Sequence, residues 1–264
     1  MTTSDRIASV QMEHWAARQL ADYDARTPGS LFAEGLVLNV PQAYALQAAI
    51  TELRRRRGER VIGYKVGCTS PRIRAQLKID HCVTGRLYDS EQHTSGAVLS
   101  RGKFANLAIE GELAVELARP PKASDFTDGA LPMCVARVMP VIELHHHVLR
   151  SPRPSAAELI AHNAIHAGFV AGTGVTRADV PREPQLAIFV NDQRTDSCAG
   201  AILIDTISSS LRWLMEVVDD RGEQLEAGQI VLTGSIPSLI PLAADCRVRV
   251  DSGALGHVDA EFTA

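Results

Sequence analysis

The chain has 264 residues, 45% of them apolar and 22% charged, with a formal net charge of −4. That length suits one domain, or one domain with a helical appendage. The charge balance excludes a basic footprint for nucleic acid, and no apolar run reaches the length of a membrane span. Five cysteines (Cys68, Cys82, Cys134, Cys198 and Cys246) are scattered, without a C-x-x-C pair. This argues against both a disulfide framework and a zinc knuckle. The opening Met-Thr-Thr-Ser-Asp lacks the charged-then-apolar layout of a signal peptide. The expectation is a cytoplasmic protein with no nucleic-acid and no membrane partner.

Residues Ser4 to Tyr23 place Ile7, Val10, Trp15, Ala16 and Leu20 at helical spacing. Thr27-Pro28-Gly29-Ser30 breaks that helix. Val40-Pro41 opens a second one through Tyr44, Leu46, Ile50 and Leu53, ending at Gly58. The basic run Arg54 to Arg57 falls at its end and reads as a solvated terminus. From Val61 the character changes to short β-like runs: Val61–Gly67, Leu107–Leu117, Cys134–Leu144, Gln185–Val190, Gln229–Thr233, Cys246–Val250 and His257–Phe262. Asn191-Asp192 and Asp251-Ser252-Gly253 mark hairpin turns. Helices are expected at Pro71–Lys78, Ser155–His166 and Thr206–Asp220, with Ala118–Ala130 as a mobile loop. Strands outnumber helices without regular βαβ alternation, so the pattern predicts an α+β fold around a large mixed sheet. Residues 1–60 form an N-terminal helical segment, and 61–264 carry the rest.

Three segments put polar groups where a buried strand does not want them. In Ile109-Glu110-Gly111-Glu112-Leu113 the alternation sets Glu110, Glu112 and Glu116 on one strand face and Ile109, Leu113, Val115 and Leu117 on the other. Two adjacent carboxylates repel unless a proton or a cation sits between them; a solvated strand face is the structural alternative. Glu143 stands in the otherwise apolar Val138–Leu144, where an unpaired charge is costly. Three such carboxylates, completed by water, suit Mg²⁺ or Mn²⁺ better than zinc. Lys65 lies between Gly63 and Gly67, glycines that let a ligand approach the backbone. Its ammonium can hold a carboxylate, shuttle a proton, or simply pair one of the acids.

Gly63-Tyr64-Lys65-Val66-Gly67-Cys68-Thr69-Ser70, Gly85-Arg86-Leu87, Ile109-Glu110-Gly111-Glu112-Leu113 and Pro140-Val141-Ile142-Glu143 together resemble the 2-keto-4-pentenoate hydratase and 4-oxalocrotonate decarboxylase group of the fumarylacetoacetate hydrolase superfamily. The likeness continues through Asn163, Leu232-Thr233-Gly234 and Leu255-Gly256-His257-Val258. It implies a mixed β-roll core of the fumarylacetoacetase C-terminal type over 61–264, preceded by the helical segment. It also implies an Mg²⁺- or Mn²⁺-dependent lyase of aromatic-compound catabolism, with Glu110, Glu112 and Glu143 as metal ligands and Lys65 as the catalytic lysine. Ser70, Leu113, Asn163, His166, Thr233 and Gly234 are the implied substrate contacts. The implied substrate is a short 2-hydroxydienoate in equilibrium with its 2-oxo acid. A homo-oligomer, alone or with a sister hydratase or decarboxylase, is the implied assembly.

Hydration, a carbon–oxygen lyase reaction, is the first expectation; a 4-oxalocrotonate-type decarboxylase is the alternative. An acylpyruvate-type C–C hydrolase and a catalytically idle partner subunit are further ones. Val83 stands where the group's hydratases tend to carry an acid, which favours decarboxylation. Ile165 replaces an expected small or hydroxyl residue near Asn163. His145 and His147 share the Glu143 face if that strand continues, and read either as neighbours of the metal or as a partly exposed strand end. His162 and His166 lack the glutamate of H-E-x-x-H. Gly58 to Lys65 does not make a phosphate loop, Gly172-Thr173-Gly174 is no dinucleotide fingerprint, Ser235 lacks a nucleophile elbow, and Cys68 reads as a buried inert thiol.

Overall fold

The computed structural model describes residues 3–27, 29–148 and 155–264. Met1, Thr2, Pro28 and the side chain of Ile7, all named above, lie outside the described residues. The helical layer comprises α1 (Thr3–Asp24), α2 (Ser30–Ala33) and α3 (Val40–Arg56). Asn39 caps α3 by accepting from the Gln42 main-chain N–H, and the Gln42 side chain accepts from Asn39 N in return. Then follow β1 (Val61–Gly67), α4 (Pro71–Leu77), β2 (Val83–Tyr88), β3 (Gln92–Thr94), β4 (Ala97–Ser100), β5 (Ala108–Leu117) and β6 (Val135–His145). After these come α5 (Ala156–Ala161), β7 (His166–Ala171), β8 (Val175–Thr176), β9 (Gln185–Val190) and β10 (Gln193–Ala199). The chain closes with α6 (Ile202–Asp219), β11 (Ile230–Leu232), β12 (Ile240–Pro241), β13 (Cys246–Asp251) and β14 (His257–Thr263).

Among the described residues, one sheet has nine strands in the path β2-β1-β11-β5-β6-β7-β3, with β12 added to β5 and β8 to β6. A second sheet runs β10-β9-β13-β14-β4. Parallel pairs (β1 with β11, β3 with β7, β4 with β14) sit among antiparallel ones, so both sheets are mixed. The fold is α+β, with an N-terminal helical region and a curled β-roll core.

The alternation of β5 decides how the sheets meet. Ile109, Leu113, Val115 and Leu117 share one core with Ile188, Val248, Val250 and Phe262 of the second sheet and with Ile207, Leu211 and Leu214 of α6. Gly111 shares that face. A Cβ there would lie 2.7 Å from Ile188 and 3.1 Å from Val250, so only glycine lets the sheets close. Glu110 and Glu112 therefore point into the concave side of the curl.

Several expectations need correction. The helix expected over Ser155–His166 ends at Ala161, and Asn163, Ala164 and Ile165 all have positive φ (55°, 53° and 58°) before β7 begins. The α6 helix starts at Ile202 rather than Thr206. Ala118–Ala130 is anchored rather than loose: Asp125 is buried, pairs with Arg119 and accepts from Lys122 N, and Phe126 enters the core. Arg54 is not solvated. It is 4% exposed, pairs with Glu59 and Glu91, and stacks 3.6 Å from the Tyr88 ring centroid.

Candidate metal centre

Strands β1, β5, β6 and β7 each contribute to one cluster on the concave face. Glu110 and Glu143 are cross-strand partners, and β6 runs on to His145, two residues further along the same face. Ligand atoms of Glu110, Glu143 and His145 all lie within 4.8 Å of one another. His145 Nε2 is 3.4 Å from Glu110 Oε2 and 3.6 Å from Glu143 Oε2. Glu143 is fully buried, and its Oε1 faces His166 Nδ1 at 2.7 Å and Lys65 Nζ at 3.3 Å.

The electrostatics follow from burial and from the neighbouring charges. Burial alone would lower the proton affinity of Lys65, but Glu143, then Glu110 and Glu112, outweigh it and hold Lys65 above the usual lysine range. Burial would likewise raise Glu143, yet Lys65, His145 and His166 overcome it and keep this carboxyl below the usual range. Glu112 goes the other way. Burial, with Glu143 and Glu110 nearby, pushes it well above the usual carboxyl range, although its Oε2 accepts from Gly234 N at 2.9 Å.

These residues fit a divalent cation. Glu143 Oε2, both ring nitrogens of His145 and His166 Nε2 are buried without a hydrogen-bond partner. Buried polar atoms left unpaired are costly, and a cation between Glu110, Glu143 and His145 would satisfy the acceptors that face it. A carboxylate-rich donor set suits a hard ion.

The cluster opens into a cavity of about 440 Å³ whose wall includes Lys65, Cys68, Ser70, Arg72, Val83, Glu110, Glu112, His145, Leu159, Ile165 and Gly234. A larger cavity of about 690 Å³ lies between α3 and α6. There Arg86 pairs with Glu223 and Arg221 lies over the Tyr44 ring, whereas Lys65, Glu110, Glu112 and His145 all line the smaller one. Gly63 gives its room to main chain and not to a ligand: a Cβ there would lie 1.8 Å from the Ile230 carbonyl oxygen of β11.

The structure brings Lys65, Ser70, Glu110, Glu112 and Gly234 to this cavity and sets Glu143 and His166 directly behind it. It does not bring Leu113, Asn163 or Thr233 there. Leu113 points into the core between the sheets. Thr233 Oγ1 donates to Leu113 O, and Thr233 O accepts from Ser210 Oγ. Asn163 clamps β2, its Oδ1 accepting from Arg86 N (2.7 Å) and its Nδ2 donating to Arg86 O (2.9 Å). That clamp leaves Ala164 O to accept from Lys65 Nζ at 3.3 Å. His145 is the member that sequence reasoning left without a role. Strand parity was its signal.

No family model matches the chain. It is 29% identical to a 2-keto-4-pentenoate hydratase of Burkholderia vietnamiensis over 84% of this chain and 85% of that protein. It is 25% identical to a 4-oxalocrotonate decarboxylase of Pseudomonas putida over 95% and 94% of the two chains. The solved 4-oxalocrotonate decarboxylase from Pseudomonas putida G7, complexed with magnesium and adipate, superposes with a TM-score of 0.86 at 24% identity, covering 96% of this chain and 98% of that one. Over most of its length the chain is thus similar to proteins of two sister activities, the 2-keto-4-pentenoate hydratases and the 4-oxalocrotonate decarboxylases, and it shares the fold of the solved decarboxylase.

Proposed function

We propose that the protein is a divalent-metal-dependent lyase acting on short 2-oxo acids, and that its reaction is decarboxylation of the 4-oxalocrotonate type. The observation that carries the lyase reading is the group of buried, unpartnered atoms on Glu143 and His145 beside Lys65. Glu110, Glu143 and His145 would hold Mg²⁺ or Mn²⁺, with Glu112 beside them. When bound, the cation supplies a Lewis acid for the oxo oxygen and adjoining carboxylate of the substrate.

The protein side chains do the rest. Lys65 keeps its proton on Nζ at neutral pH, so it acts as a fixed positive charge rather than a base and favours negative charge gathering on a substrate oxygen. Glu143 and the Ala164 carbonyl aim that ammonium. In the six-carbon 2-oxo-3-ene diacid, the bond to the far carboxylate breaks and CO₂ leaves. The electron pair moves along the conjugated chain to the oxo oxygen, and protonation there gives 2-hydroxypenta-2,4-dienoate. This sequence needs no proton delivered to carbon and no added water. Hydration needs both, at the far end of the dienoate. Val83, which stands where the group's hydratases tend to carry an acid, lies on the cavity wall, which supports decarboxylation over the hydration expected first. The hydratase relative at 29% identity supports hydration as the second reading.

An ultraviolet assay with Mg²⁺ on 2-oxohex-3-enedioate and on 2-hydroxypenta-2,4-dienoate, with products followed by mass, separates the readings. Loss of CO₂ from the first is the expected result. Gain of water by the second instead would establish hydration, and no change in either would refute the lyase reading.

A further inference from the structure

The cavity has a gradient from floor to mouth. His145 lines the cavity at 1% exposure with the fully buried Glu143 behind it, whereas Arg72, on the same cavity wall, is solvent-exposed on α4. Lys65 is committed to Glu143. Arg74, two positions along α4, is committed to the main-chain oxygens of Cys68 (3.2 Å) and Thr69 (2.8 Å). Among the described residues, no carboxylate lies within ion-pair distance of Arg72. The cavity thus carries an uncommitted guanidinium at its mouth, with five donors suited to a planar carboxylate. Val83, fully buried, lines the same cavity.

We propose that Arg72 reads the far carboxylate of a dicarboxylic substrate and makes the cavity select diacids over monoacids of the same chain length. The inference rests on the 2-oxo acid reading above for which end of the ligand reaches the floor. A linear acid anchored there by its oxo-acid end extends its other end toward the mouth, where Arg72 stands. Because the contact is exposed, it is screened by salt and contributes to capture. An exposed pair of this kind changes affinity about fivefold.

The test is calorimetric titration of the full-length, Mg²⁺-loaded protein with adipate and with hexanoate, for the wild type, Arg72→Ala and Arg72→Lys. The expected result is a wild-type preference for adipate that shrinks about fivefold in Arg72→Ala, survives in part in Arg72→Lys, and weakens with added salt in the wild type but not in Arg72→Ala. Equal affinity for the two acids in the wild type, or an unchanged ratio in Arg72→Ala, overturns the proposal. An Arg72-dependent preference in a protein that turns over neither assay substrate upholds Arg72 and removes the lyase reading. Turnover of 2-oxohex-3-enedioate with an unchanged ratio does the reverse.

Discussion

Lys65 combines full burial with three carboxylates around its ammonium, and the sign of that balance fixes its role. A lysine whose proton is held this firmly is a poor base near neutrality and a good fixed charge. Replacing it by methionine keeps the aliphatic stem but removes the charge. Lys65→Met is expected to keep divalent-metal affinity, since the lysine competes with the cation for Glu143, while turnover falls by roughly a hundredfold or more. Calorimetry with Mn²⁺ and the ultraviolet assay read the two separately; parallel loss of both would contradict the assignment. The residue-level chemistry was partly legible in the sequence, because two same-parity glutamates and an acid in an apolar strand are visible as anomalies. His145 was not, because its role depends on whether β6 stops at Leu144 or runs one residue further. Asn163 and Thr233 went unplaced because the motif names a position but not the face on which its side chain lies, whereas the strand alternation already set Leu113 on the face opposite the glutamates, where the core holds it.

At the scale of elements, the turn after α5 stands out. Asn163, Ala164 and Ile165 occupy left-handed backbone in succession, a conformation costing about 1–2 kcal/mol for each residue with a Cβ. Such strain persists where its surroundings over-determine it, and here the two hydrogen bonds from Asn163 to the Arg86 main chain do so. They also hold Ala164 O on Lys65. Asn163→Ala is therefore expected to lower stability by about 2 kcal/mol in urea unfolding and to lower turnover through a misaligned Lys65. Unchanged unfolding would show that the turn is held by something else. Sequence reasoning ran a helix straight through this turn. Ala156 to Ile165 has helical apolar spacing, and alanine and isoleucine give no signal of left-handed backbone. The strand β2, buried at every position, escaped notice because Thr84, Gly85 and Arg86 interrupt any apolar run, whereas the clean alternation of β5 was readable at once.

Across the whole molecule, buried His146 and partly buried His162 lie where the N-terminal helices meet the roll. His146 packs edge-on against Tyr23 of α1, with ring centroids 4.7 Å apart, and His162 lies 5.8 Å from the Phe32 ring of α2. Burial pulls both down from 6.5 to about 4. The unfolded chain then binds more protons than the folded one between those values, so stability is full above pH 6.5 and is lost as pH falls toward 4. The displacement corresponds to about 3 kcal/mol per histidine. His162→Gln is expected to flatten that acid limb in melting temperatures measured between about pH 7 and pH 4.5. An acid limb as steep as that of the wild type would contradict the prediction. Gln47 of α3 adds fixed bonds across the same junction, donating to Thr84 O and Ile160 O at 2.9 Å each. The helix-then-sheet order was legible from the change of period near Val61. The docking of the two was not, since it depends on single polar contacts that carry no periodic signal.

The central claim is that the concave face of the curled sheet holds a divalent cation between Glu110, Glu143 and His145. Titration of Mn²⁺ into the wild type and into Glu143→Gln, each shown to be folded by circular dichroism, tests it most directly. Saturable binding in the wild type, weakened by about a hundredfold or more in Glu143→Gln, is the predicted result. Equal Mn²⁺ affinity in the two proteins would contradict the account.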